Sequence, residues 1–278
     1  MTAALLAVGS IITLTSSVSA ATLKVSIESL APENATLLTP LWVGFHDGGF
    51  DIYDRGESLD LFPGTESLVE DGATAEISAQ FDTVGAGEVQ GTILGLEGAT
   101  PGPLDSGEVA SLLFEVDETL PSSQYFSYAA MVIPSNDAFV ANGNPFAHQI
   151  FDDAGNFLGA DFTILGSDVL DGGTEVNDEL PVNTAFFGQT APNTGVEENG
   201  VVELHPGFNS VGSGGILDDP TFADANFLAE GYEIARITVE LIEDDVQDVP
   251  EASTVLGILA IGGVLGLKRR QWNRSENA

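Results

Sequence analysis

No cysteine occurs in 278 residues, and only seven Lys and Arg stand against 43 Asp and Glu. The first absence excludes disulfide staples, so the fold must rest on core size, on metal, or on both. The shortage of bases is sharper within the body of the chain. Lys268, Arg269, Arg270 and Arg274 lie at the C-terminal end, together with the acids Glu251 and Glu276. Between Ala21 and Pro250 this leaves 41 acids against Lys24, Arg55 and Arg236, a net charge near −38. Such a surface repels nucleic-acid phosphates and anionic lipid heads, attracts divalent cations and stays soluble at high salt. Nucleic acid is therefore excluded as a partner, and a saline habitat alone would select the same surface.

Catalytic signatures are missing too. His46, His148 and His205 are scattered, with no spacing that suits zinc or a charge relay. There is no Gly-x-Ser-x-Gly and no phosphate-binding loop. With 41 acids in the body, chance pairs of carboxylates are unavoidable, so a glycosidase-like pair carries no information. His46-Asp47, beside Trp42, reads as a hydrogen-bonded pair supporting an edge of the fold. Asn34-Ala35-Thr36 matches a glycosylation sequon, a pattern common by chance.

The two ends differ from everything between them. Residues Thr2 to Ala20 carry no charge, with an apolar stretch from Ala3 to Leu14 and small residues at Val18-Ser19-Ala20. This is the pattern of a secretory signal peptide over 1–20, cleaved after Ala20, although no Lys or Arg precedes the apolar run. Glu243 to Glu251 is an acidic linker, and a tail follows over 252–278. Its uncharged segment, Ala252 to Leu267, would span about 24 Å as a helix, slightly short of a hydrocarbon core. Lys268-Arg269-Arg270 follows at once and should stay cytoplasmic, so a short transmembrane anchor is expected with the body outside the cell.

Between the ends, apolar residues recur with period two or in short runs broken by Gly, Asn, Asp and Pro, which predicts strands. The runs are Thr22–Leu30, Leu41–Phe45, Gly91–Leu94, Ala110–Val116, Tyr125–Ile133, Phe162–Leu165 and Tyr232–Ile242. Seven or more strands suit a β-sandwich. Short peripheral helices are expected near Ser58–Phe62 and Ser67–Thr74. Asp152–Asn156, between Phe151 and Phe157, reads as a hairpin turn in preference to a calcium loop. Asp168 to Gly215 is loop-heavy and should lie at one end of a single folded domain, 21–242.

Three parts of the chain, the last made of two segments, carry a resemblance to known families. Val249-Pro250-Glu251-Ala252-Ser253-Thr254, an apolar segment and the basic cluster are together similar to the PEP-CTERM sorting signal, with Ala252 in place of the second proline. That resemblance implies processing by an exosortase-type protease. Leu38–Gly48 with Phe50-Asp51-Ile52-Tyr53 resembles the opening of bacterial spondin-type domains. Tyr128–Phe139, ending in Pro-Ser-Asn-Asp, and Gly166–Glu175, ending in Asp-Gly-Gly-Thr-Glu, resemble the two most characteristic segments of the spondin N-terminal domain. What this resemblance implies is an all-β antiparallel sandwich of about eight strands, similar to calcium-dependent phospholipid-binding domains, with Ca²⁺ at one end. Carried onto this chain, the calcium carboxylates fall on Asp137, Asp171 and Glu175, the last where the family tends to have Asp. Asp168 and Asp178 stand nearby, and all of these acids also read as solvated loop charges.

The expectation is an exported, non-catalytic, calcium-binding adhesion or matrix protein at the cell surface, transiently held at the membrane by its tail. Its partner would be an extracellular polysaccharide or a surface protein. The competing readings are a secreted polysaccharide-acting hydrolase and a stand-alone carbohydrate-binding domain.

Overall fold

The computed structural model describes residues 20–95, 102–192 and 194–242. The chain separates into two units, 1–242 and 243–278, and only the first contains described residues. The predicted leader up to Ser19, the acidic linker and the tail thus lie outside them. Among the described residues the strands are β1 (Ala21–Ser29), β2 (Leu37–Leu38), β3 (Leu41–His46), β4 (Val89–Ile93), β5 (Val109–Val116), β6 (Tyr125–Ile133), β7 (Ala138–Ala141), β8 (Ala160–Leu165), β9 (Leu170–Asp171), β10 (Glu203–Leu204) and β11 (Glu233–Ile242). Two helices, α1 (Thr65–Asp71) and α2 (Ala75–Val84), fall between β3 and β4. All seven predicted runs are strands, with ends within two residues of those expected, and eight strands are four residues or longer.

The strands form two antiparallel sheets, one ordered β5-β1-β11-β8 and the other β10-β9-β7-β6-β3-β4, with β2 pairing beside β6. The sequence of β1 explains its place. Leu23, Val25 and Ile27 alternate with Lys24, Ser26 and Glu28, so one face is buried and the other meets solvent. The outer face of this four-stranded sheet carries Lys24 and Arg236, two of the body's three bases, and Arg236 grips Asp161 through two bonds of 2.6 and 2.7 Å. Exposed pairs of this kind contribute little stability.

The larger sheet differs because both of its faces are covered. Along β6, Phe126, Tyr128, Ala130 and Val132 pack between the sheets with Val43 and Phe45 of β3 and Phe114 of β5. The alternate positions turn the other way, where Ala129 joins Trp42, Phe139 and Leu170 beneath Leu68 and Val69 of α1 and Ile77 and Phe81 of α2. Both sides of β6 being largely apolar is what a doubly covered strand requires, and it accounts for the run from Tyr125 to Ile133, in which Ser127 is the one small polar residue. Close packing under the helices leaves no space at Gly44, where a Cβ would come within 2.8 Å of the Trp42 ring and 2.9 Å of Phe81.

The helical expectations hold in part. Ser58 caps a single 3₁₀ turn at Leu59–Leu61, and α1 ends where the Gly72 N–H bonds the Leu68 carbonyl. Helix α2 was not expected from the sequence: its buried apolar residues are Ile77 and Phe81 alone, one turn apart. Asp152–Asn156 is the predicted turn, with Asp152 Oδ1 accepting the N–H groups of Ala154 and Asn156. One expectation needs correction. Among the described residues no helix is long and apolar enough to cross a membrane. The longest, α2, has 10 residues and extends about 15 Å, half of a hydrocarbon core. Residues 252–267 lie outside the described residues, and the transmembrane expectation is withdrawn.

Phe45 is fully buried at the centre of the inter-sheet core, with Phe114 and Phe126 each 5.5 Å away, centroid to centroid. Phe45→Ala is expected to destabilise the chain by about 3–5 kcal/mol, read as a lower urea midpoint with an unchanged slope.

Candidate functional site

The corner between β6 and β7 brings the predicted residues into one neighbourhood. Ser135 shapes it, its hydroxyl donating to the Val132 carbonyl at 2.5 Å and accepting the Ala138 N–H at 3.1 Å. Asp137 immediately precedes β7, and β9 pairs with β7 so that Ala138 faces Asp171. The Gly172 N–H then bonds the Asp137 carbonyl at 3.1 Å. Gly173 takes a φ of 65°, a left-handed conformation that glycine adopts without strain, and folds the next two residues back over Asp137.

Asp137 is 0% exposed, and its two oxygens have opposite fates. Oδ2 accepts three bonds, from the Thr174 N–H at 2.9 Å, the Thr174 hydroxyl at 3.1 Å and the Glu175 N–H at 3.1 Å. Oδ1 is buried and has no hydrogen-bond partner. Burial, with the Asp171 charge as a second cause, pushes the Asp137 carboxyl up to about 7. A buried carboxylate oxygen left bare costs several kcal/mol unless it is protonated or faces a cation.

Asp171 and Glu175 are neighbours of Asp137 but direct their oxygens elsewhere. Asp171 accepts the Gly173 N–H at 2.9 Å and the Asn177 amide at 2.5 Å. Glu175, 5% exposed, accepts the Gly195 N–H through Oε1 at 2.9 Å. Burial and then the nearby negative charges hold its carboxyl near 7. Among the described residues no three His, Cys, Asp or Glu side chains form a group that could hold a metal ion. The three predicted ligands thus share one neighbourhood without converging on a point. Asp168 and Asp178 act as local caps, accepting the Leu165 N–H at 2.9 Å and the Leu180 N–H at 2.8 Å.

Three groups join the site unannounced by the sequence. Thr174 bridges Asp137 and Glu70, whose carboxyl its hydroxyl also reaches. Glu70 lies on α1, is 6% exposed and is pushed up to about 7, chiefly by burial. His205 follows β10, which pairs with β9. Its Nδ1 accepts the Gly207 N–H at 3.0 Å, so Nε2 carries the proton, and that nitrogen is buried without a partner. Burial lowers the His205 ring to about 4 despite the Asp171 charge.

His46 stands apart from this site, and its expected bond to Asp47 is not made. The ring bonds the Ser127 hydroxyl at 2.8 Å, while Asp47 accepts the Gly49 N–H at 2.8 Å. His46 and Ser127 are both buried, with Asn142 also donating to the hydroxyl, so the group knits β3 to β6.

Asp137, Glu70 and Glu175 are all held near 7, against ordinary values of 3.8 and 4.5. The folded chain keeps protons that the unfolded chain releases between about pH 4 and 7, so the stability they contribute is complete at low pH and lost as pH rises through about 7. Burial also keeps His46 and His205 near 4, against an ordinary 6.5, which opposes that loss below about pH 6.5. Without divalent cations, the melting temperature is therefore expected to fall between about pH 6.5 and 8. Asp137→Asn, whose amide oxygen can keep the three bonds at Oδ2, should reduce that fall and exceed the parent at pH 8 by on the order of 2 kcal/mol. Parallel curves for the two proteins would show that Asp137 does not carry the effect.

No protein-family model matches the chain, and no curated protein matches it.

Proposed function

We propose that this chain is an exported, non-catalytic, calcium-stabilised module used in adhesion or in building the matrix outside the cell. The observation that carries the calcium half is the bare Oδ1 of Asp137, a fully buried carboxylate oxygen with no donor. Asp171 and Glu175 place two further carboxylates beside it, and a set of hard oxygens suits Ca²⁺, which takes about 6–8 of them. Calcium would supply the positive charge that this pocket lacks. Binding competes with the bonds from Asn177 to Asp171 and from Gly195 to Glu175, so these two loops are the segments that a cation would reorganise.

Export is proposed from the sequence of the two ends, and the PEP-CTERM-like tail names an exosortase-type protease as the processing partner. The adhesion or matrix half is proposed from the spondin-like segments. A surface near −38 in net charge keeps such a module soluble among polysaccharides and divalent ions.

Thermal melting with calcium and with EGTA tests the cation. At a calcium concentration about a hundredfold above Kd the ion should add roughly 2.7 kcal/mol to stability. The gain should vanish in Asp171→Ala. A melting midpoint that ignores chelator in the parent would remove calcium from the proposal.

A further inference from the structure

Two Asn-Gly pairs occur in the chain, Asn142-Gly143 and Asn199-Gly200. An asparagine followed by glycine is prone to spontaneous loss of its side-chain amide. The glycine nitrogen that must attack the side-chain carbonyl has no Cβ beside it, and its backbone turns more freely than that of any other residue. The reaction needs no enzyme. Whether it runs in a folded chain depends on how firmly the two residues are held, and here the two pairs are held very differently.

Asn142 is locked in place. It is 7% exposed, its Oδ1 accepts the Tyr128 N–H at 2.9 Å, and its amide donates to the Ser127 hydroxyl at 2.9 Å and the Asn144 carbonyl at 3.3 Å. Gly143 lies against Tyr53, where a Cβ would come within 2.6 Å of the ring. Turning the side chain toward the Gly143 nitrogen would break these three bonds in a buried place, and each group left unpaired there carries a desolvation cost.

Asn199 is exposed, and among the described residues its side-chain amide has no hydrogen-bond partner. Its φ of 57° is left-handed, a conformation in which asparagine is enriched among residues that carry a side chain. Gly200 suits the next position because the loop crosses Gly173 there: a Cβ would stand 3.0 Å from the Gly173 carbonyl oxygen. The turn therefore favours both residues on conformational grounds, and their combination is the labile one. One bond holds the attacking nitrogen, from the Gly200 N–H to the Gly173 carbonyl at 2.7 Å. In an exposed loop such a bond opens locally at small cost.

We propose that Asn199-Gly200 is a site of spontaneous deamidation in the folded chain, while the fold protects Asn142-Gly143. The Gly200 nitrogen gives its proton to hydroxide and bonds to the side-chain carbonyl carbon of Asn199. The bond from that carbon to the amide nitrogen breaks, and ammonia leaves with a proton from water, which regenerates the hydroxide. The cyclic imide so formed takes up water at either carbonyl. Opening at the side-chain carbonyl leaves aspartate, and opening at the main-chain carbonyl leaves isoaspartate, in which the main chain runs through the former side chain. The net change is water in and ammonia out. Both products add a negative charge, and isoaspartate also lengthens the main chain just before Gly200, which moves its N–H off the Gly173 carbonyl. The change is irreversible and is set by elapsed time.

Incubation of the full chain in mildly alkaline buffer with EGTA, folded and in parallel unfolded in guanidinium chloride, tests this when sampled over time by peptide mass spectrometry. Labelling by an isoaspartate methyltransferase reads the isomerised product. In the folded chain the peptide holding Asn199 should gain the mass difference between amide and acid at least about tenfold faster than the peptide holding Asn142. In the unfolded chain the two should convert at similar rates. An acidic charge variant should grow with time in the folded parent and not in Asn199→Asp, which has no amide to lose at that position. An Asn199 amide that survives in the folded chain while the unfolded chain converts overturns the proposal. Equal rates at the two pairs in the folded chain also overturn it, as does the same difference between them once the chain is unfolded.

Discussion

Three hydrogen bonds to one buried oxygen hold the acidic end of this molecule together. By accepting from Thr174 twice and from Glu175 once, Asp137 Oδ2 pins the loop after β9 onto the corner between β6 and β7. That loop in turn supplies a wall of an acidic cleft, carries Glu175 and lies over α1, where Gly172 leaves room for Val69. Bonds to a charged acceptor contribute about 1.5–3 kcal/mol each, but only if the carboxylate's other oxygen is also provided for. Asp137 Oδ1 is not, and this imbalance is the physical origin of the cation proposal.

The imbalance is sustained by the way the larger sheet is covered. Because β6 and β7 lie under both the facing sheet and the α1–α2 layer, water is excluded from the corner that follows β6. An aspartate at an ordinary strand end would be solvated, and its second oxygen would need nothing. Burial at this corner converts a common residue into an electrostatic demand, and the same burial raises Glu70 and Glu175. The four-stranded sheet meets solvent on its outer face, where Arg236 and Asp161 form an exposed pair.

Much of the architecture was legible in the sequence because it rests on periodicity. The alternation in β1 marks a half-exposed strand, and the apolar length of β6 marks a strand bounded by turns. What escaped is what only tertiary contact creates. Strand β7 has four residues, β9 and β10 have two each, and these short elements exist through pairing with one another. Helix α2 offers only Ile77 and Phe81 as an apolar face. Asp137, Asp171 and Glu175 were reached through resemblance, and the β7–β9 pairing brings them into one neighbourhood. Glu70 had no signal at all: within so acidic a chain, nothing local separates a buried glutamate from its solvated neighbours.

The most direct measurement is calcium titration of the folded chain by calorimetry, alongside Asp137→Asn. One ion per chain, lost in the variant while the fold is retained, is the predicted result. Absence of saturable binding, or binding unchanged by the substitution, would contradict a cation at the bare oxygen of Asp137.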